Sequence, residues 1–254
     1  MRQPSEPIFN VPGVVALTLL VLVGIHAVRD FVLTPSLDNE VLWLFAFMPL
    51  RYESSVLGNA YPGGLAADVW TFVTYALLHG SWTHVGLNGV WLLAFGTPIA
   101  RRFGAVRFLL FFAVTAAGGA LAHLAVYAGS PVPMVGASAA ISGFMAAAIR
   151  FAFQRGGPLR LIGSHQDEAY RVPAPPLLTV LREPRALVFL AAWFGLNLLF
   201  GLGSFGVDGA EQSVAWEAHV GGFLAGLIGF AAFDPIKPAR PSDRGGPDPA
   251  ATIH

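Results

Sequence analysis

Cysteine is absent from the chain, which removes disulfides, thiol nucleophiles and cysteine-ligated metals together. Charge is scarce: only 12% of the 254 residues are Asp, Glu, Lys or Arg, against roughly 25% in a soluble domain. The charges that are present cancel, 15 basic against 15 acidic, so no bulk field favours a nucleic-acid partner. The chain has no internal repeat of the kind that builds many transporters. No HExxH or comparable histidine spacing points to a metal site, and neither metal nor cofactor is expected. Apolar residues are plentiful, at 55% of the chain with a mean hydropathy of +0.61. In long runs, that composition marks an all-α, polytopic membrane protein.

A bilayer core asks for about 20 apolar residues per helix. Segments 11–33, 82–100, 108–128, 135–153, 186–202 and 215–233 meet or nearly meet this, which predicts six spans. The first run is too long for a signal peptide, and IHAVRD at 25–30 is a poor cleavage region. Residues 69–79 (VWTFVTYALLH) predict a further helical piece leading into the second span. Arginine placement sets the direction. Arg101, Arg102, Arg107, Arg150, Arg155, Arg160, Arg171, Arg182, Arg185, Lys237, Arg240 and Arg244 fall in one set of connections, and only Arg29 and Arg51 in the other. Both termini are therefore expected in the cytoplasm, with the second, fourth and sixth spans running inward.

The expected organisation is a short cytoplasmic segment at 1–10, a membrane domain at 11–234 and a disordered cytoplasmic tail at 235–254. The tail is rich in Pro and Gly. Within the membrane domain, the outer loop 34–68 contains LWLFAFMPLRY at 42–52, too apolar for a solvated loop and expected in the interface. The inner loop 156–184 reads as a cytoplasmic linker resting on anionic lipid. The compact plan and the lack of an organelle-type presequence predict a bacterial plasma (inner) membrane location.

Polar side chains inside spans are costly and usually functional. The second span opens HGSWTHVGLNG, and His84 and Asn88, four apart, share one helix face. The fourth carries VGASAAISG, with Ser138 expected one turn below its start. The sixth opens AWEAHVGGFLAG, placing His219 at similar depth. All three clusters then lie at the outer ends of inward-running helices. The fourth span is small-faced around Ser138, and the sixth carries Gly222 and Gly226 in small-xxx-small spacing. Such faces approach closely enough for Ser138 and His219 to hydrogen-bond.

On its own, VGASAAISG is a packing seam. A serine beside a histidine changes its meaning, because the pair can run nucleophilic acyl transfer. The oxyanion would be met by the Asn88 amide, the His84 ring, or backbone N–H groups at the start of the fourth helix. Glu217 is two residues from His219 and faces elsewhere, so a dyad without a carboxylate is expected. Ser142, one turn further, is expected to back-bond to the chain. His79 reads as structural, and His26 and His123 match no motif.

The chain resembles the rhomboid intramembrane serine proteases across about 70–233. HVGLN at 84–88, GASA at 136–139 and AHVGGFLAG at 218–226 match that family's three motifs in order. The resemblance implies a six-span rhomboid-like bundle with Ser138 as nucleophile, His219 as general base, and His84 and Asn88 on the oxyanion side. It also implies that the outer segment 45–52 lies partly in the membrane beside the core. The implied activity is endoproteolysis of transmembrane or juxtamembrane segments of membrane proteins, near the outer face of the lipid bilayer. The alternative is an inactive relative that binds or chaperones transmembrane clients. Where many of the family carry Gly after the serine, this chain has Ala139; where some carry Tyr four residues on, it has Ser142.

Overall fold

The computed structural model describes residues 11–53, 61–154, 156–158, 167–202 and 215–237. Segment 1–10 and residues 238–254 of the tail lie outside the described residues, as do Arg155, Arg160, Arg240 and Arg244. The chain folds as α1 (Gly13–Phe31), α2 (Pro35–Phe45), α3 (Gly64–Thr74), α4 (Trp82–Trp91), α5 (Thr97–Phe103), α6 (Ala105–Val126), α7 (Ser138–Ala152), α8 (Leu177–Val180), α9 (Pro184–Leu202) and α10 (Trp216–Phe233). Short 3₁₀ turns stand at Pro49–Tyr52, Tyr75–Leu77 and Asp167–Arg171. Among the described residues the only β pairing is one isolated antiparallel bridge, Phe47 with Met134.

Among the described residues, three helices are long and apolar enough to cross a bilayer: Gly13–Phe31, Ala105–Val126 and Trp216–Phe233. Ser138–Ala152 and Pro184–Leu199 are shorter apolar helices. The second expected span is not one regular helix. It runs as α4, a π-helical turn at Leu92–Gly96, and α5. Pro98 explains the wide turn, because it has no N–H to donate and its ring crowds the preceding turn. The expected outer loop 34–68 holds α2, the turn Pro49–Tyr52 and the start of α3. Thr34 caps α2, its side chain accepting from Leu37 N at 3.4 Å, with Pro35 opening the helix.

The core is α6, α7 and α10. Apolar burial does not drive helices together in lipid, so backbone proximity and hydrogen bonds must do so. A methyl on Gly222 would overlap the Ala139 carbonyl, and one on Gly226 would overlap that of Gly143. A methyl on Gly118 would fall 2.5 Å from Ala225 Cβ. Thr115 of α6 back-bonds to the Phe111 carbonyl at 2.7 Å, and its Oγ1 lies 3.3 Å from the Ala140 carbonyl of α7. Every residue of α7 except Ser138 and Arg150 is buried. At about 1.5 Å per residue, α7 is roughly 22 Å long; walled by protein, it need not match the lipid.

The end of the bundle opposite Ser138 is closed by aromatic rings and one ion pair. Arg102 donates to Asp234 through Nε (3.0 Å) and Nη2 (2.8 Å), and through Nη1 to the carbonyls of Tyr170 (2.8 Å) and Val172 (2.9 Å). Its guanidinium lies 4.6 Å from the Phe151 ring centroid. Arg150 Nη2 donates to Pro175 O at 3.2 Å. The described part of 156–184 is therefore fastened to the core, which a charge-and-proline reading as a linker did not anticipate.

Candidate active site

Ser138 is the first residue of α7, not one turn inside it. The three residues before it are extended or turning because other segments hold them. Met134 exchanges hydrogen bonds with Phe47 (N to O 2.7 Å, O from N 3.1 Å), and Leu50 N donates to Ser130 O at 2.9 Å. Gly136 N then donates to Tyr75 O at 3.0 Å. Gly136 has φ +123°, a conformation open to glycine, and the chain turns there into α7. Segment 46–52 is thus a clamp on the approach to Ser138. Arg51 locks the clamp: it is 2% exposed and donates to Trp43 O (2.6 Å), Pro62 O (3.3 Å) and Asp68 Oδ1 (3.2 Å).

Ser138 Oγ and His219 Nε2 are 2.7 Å apart. The small faces of α7 and α10 allow this, because side chains larger than Gly222 would push the helices apart. Ala139 costs nothing here, since its methyl fills the space left by Gly119, where a methyl would stand 2.5 Å away. Ser142 Oγ donates to the Ser138 carbonyl at 2.8 Å, a local back-bond.

His84 and Asn88 flank the same glycine. A methyl on Gly136 would lie 2.7 Å from His84 Nε2 and 3.8 Å from Asn88 Nδ2, so both groups border the backbone two residues before Ser138. Ser81 sets the start of α4 by accepting from His84 N at 3.1 Å. Asn88 Nδ2 donates to His84 O at 3.2 Å, and Asn88 is buried. Gly80 N donates to His84 Nδ1 over a long 3.5 Å, which leaves Nε2 to carry the proton on the Gly136 side. The first intrahelical bond of α7 runs from Ile141 N to Ala137 O. The amides of Ser138, Ala139 and Ala140 therefore have no helical carbonyl to meet.

Sequence reasoning missed two groups. Asn197 of α9 places its Oδ1 2.5 Å from His219 Nδ1. A lone asparagine in an apolar helix was the available signal, and no spacing tied it to His219. His123 and Glu217 form a buried contact, Nδ1 to Oε1 at 2.6 Å, so Glu217 faces away from His219 as its position implied. His79 is buried with its ring edge-on to His84, centroids 5.0 Å apart. Burial, and then the proximity of His84, His26 and Arg29, hold its pKa down at about 3, so this neighbour is a neutral ring. Among the described residues, no group of three or more His, Asp or Glu side chains is placed to hold a metal ion.

The rhomboid domain model matches residues 66–233. The chain belongs to the rhomboid family. Among its relatives, the rhomboid protease AarA of Providencia stuartii is 27% identical over 231 residues, covering 85% of this chain and 72% of that protein. YdcA of Bacillus subtilis is 34% identical over 112 residues, 41% of this chain and 54% of its own length. The rhomboid protease GluP of the same organism is 29% identical over 183 residues, 71% of this chain. The chain spans little more than half of YdcA, 54%, and 29% of GluP. The apolar helices of this rhomboid chain fit a multi-pass membrane protein.

Proposed function

We propose that this rhomboid is an intramembrane serine endopeptidase that cuts transmembrane or juxtamembrane segments of membrane proteins. The observation carrying the proposal is the 2.7 Å contact between Ser138 Oγ and His219 Nε2, beside a glycine bordered by His84 and Asn88. Ser138 Oγ attacks the scissile carbonyl as its proton passes to His219 Nε2, and the same proton then goes to the leaving amine. Water hydrolyses the acyl-enzyme by the reverse relay. The Asn88 amide, the His84 Nε2–H and the Ser138 amide receive the oxyanion.

The bundle crosses the bilayer six times, as α1, α4–α5, α6, α7, α9 and α10, with both termini in the cytoplasm. Arg101, Arg102, Arg107, Arg150, Arg171 and Arg185 support this, because they gather at the end away from Ser138. Cleavage then falls near the outer face. A substrate helix must unwind there to present a carbonyl, so helices weakened by Gly, Pro or polar residues are favoured. The relatives named above include bacterial ones, in keeping with a bacterial plasma membrane.

Fluorophosphonate labelling of the purified protein tests the reading. Labelling of wild type and loss of label in Ser138→Ala are expected. An unlabelled wild type, or equal labelling of the variant, overturns it and leaves a client-binding rhomboid.

A further inference from the structure

We propose that Asn197 is a positioning residue that fixes His219 in the tautomer able to accept the Ser138 proton. The inference rests on the protease reading above and adds a third member to the expected dyad.

The hydrogen-bond chain sets its own direction. Asn197 Nδ2 lies 2.8 Å from the Trp193 carbonyl, an obligate acceptor, so that end of the side chain is the amide nitrogen. Oδ1 is then the atom 2.5 Å from His219 Nδ1, and an amide oxygen only accepts. Nδ1 must therefore carry the proton. A neutral imidazole with Nδ1–H has a bare Nε2, and this is the atom 2.7 Å from Ser138 Oγ. One asparagine thus excludes the tautomer that cannot act as base. It also fixes the ring plane, because Nδ1 and Nε2 are both held.

The acids do not supply this service. Glu217, the acid nearest in sequence, is turned to His123. Among the described residues, no carboxylate is hydrogen-bonded to either His219 nitrogen. An amide offers an acceptor without the cost of placing an anion in an apolar helix. Between Arg185 and Leu202, Asn197 is the one polar side chain of α9. That helix is set against α10 by Trp193 stacking on Phe223, centroids 4.6 Å apart, one turn from Asn197.

The test uses Asn197→Leu, which keeps the volume and removes the amide, and Asn197→Asp, which keeps an acceptor. Cleavage of a reconstituted transmembrane reporter is measured across pH for both variants and wild type. Asn197→Leu is expected to lower kcat about 10- to 100-fold with KM within about twofold. Asn197→Asp is expected to recover most of kcat while moving the acidic limb of the pH–rate profile up by about one unit, since an anion favours imidazolium. A purely structural residue would move neither the limb nor the kcat-to-KM split. Long-range ¹H–¹⁵N correlation on histidine-labelled protein reads the tautomer without activity, with His219→Gln assigning the signal. Wild type is expected to show Nδ1–H, and Asn197→Leu a tautomer mixture. An inert wild type overturns the protease reading alone. If Asn197→Leu matches wild type in kcat, pH profile and tautomer, the Asn197 role is overturned and the protease reading stands.

Discussion

At the Ser138 end of α6, α7 and α10 the side chains around the serine are neutral hydrogen-bonders, Ser138, His219, Asn197, His84 and Asn88, and the one buried carboxylate of α10 there, Glu217, is turned away to His123. At the other end the buried polar groups are full charges, Arg102 against Asp234, two-pronged and ringed by Phe151 and Phe230. The second arrangement is satisfied in one geometry and expensive in any other. The first is less fully paired: Nε2–H of His84, the Ser138 amide and one N–H of the Asn88 amide are not used in the helices' own hydrogen bonds. Both ends share one set of helices, so a substitution at either should damage a different property.

The largest contrast is expected from Ser138→Ala. Cleavage of a reconstituted transmembrane reporter should fall at least about 1000-fold, while the thermal unfolding midpoint stays within a degree or two. Arg102→Ala should invert that pattern. It strands the buried Asp234 carboxylate, so stability should drop by about 3–5 kcal/mol, measured by denaturation in mild detergent. Turnover per folded molecule should be unchanged, and a catalytic loss in the folded fraction would show the ends to be coupled. Asn88→Ala sharpens the site end: kcat should fall about 100-fold, the scale of one oxyanion donor, with little change in KM. Gly226→Ala probes the seam between the ends. Its methyl meets the Gly143 carbonyl, and overpacking of that kind costs about 1–3 kcal/mol, visible as a lowered midpoint with parallel, modest loss of activity.

Some of this was legible in the chain itself. His84 and Asn88 sit four residues apart, so helix geometry alone put them on one face. Ser142 back-bonds to Ser138 for the same local reason. Gly222 and Gly226 announced a close helix contact by their spacing, and the carbonyls of Ala139 and Gly143 fill it. Helix boundaries were less secure. Pro98 breaks the second apolar run in a way hydropathy does not register, and Ser138 begins α7 because Phe47 and Tyr75 hold the residues before it. Segment 34–68 reads from the sequence as an interfacial loop; α2 is set by its local cap, but the segment's grip on Met134 depends on a partner far along the chain.

The sequence by itself determined the solvent and the class of element, because runs of apolar residues and helical periods are properties of neighbours. It also marked the residues proposed to carry the chemistry, Ser138, His219, His84 and Asn88. Tertiary structure alone decided who meets whom: His219 with Asn197 across 22 positions, His123 with Glu217 across 94, Arg102 with Asp234 across 132. It likewise decided that the missing side chain of Gly119 makes room for Ala139. No period in a sequence encodes such pairs, since each forms only when packed helices bring the two groups to one depth and leave each no cheaper partner.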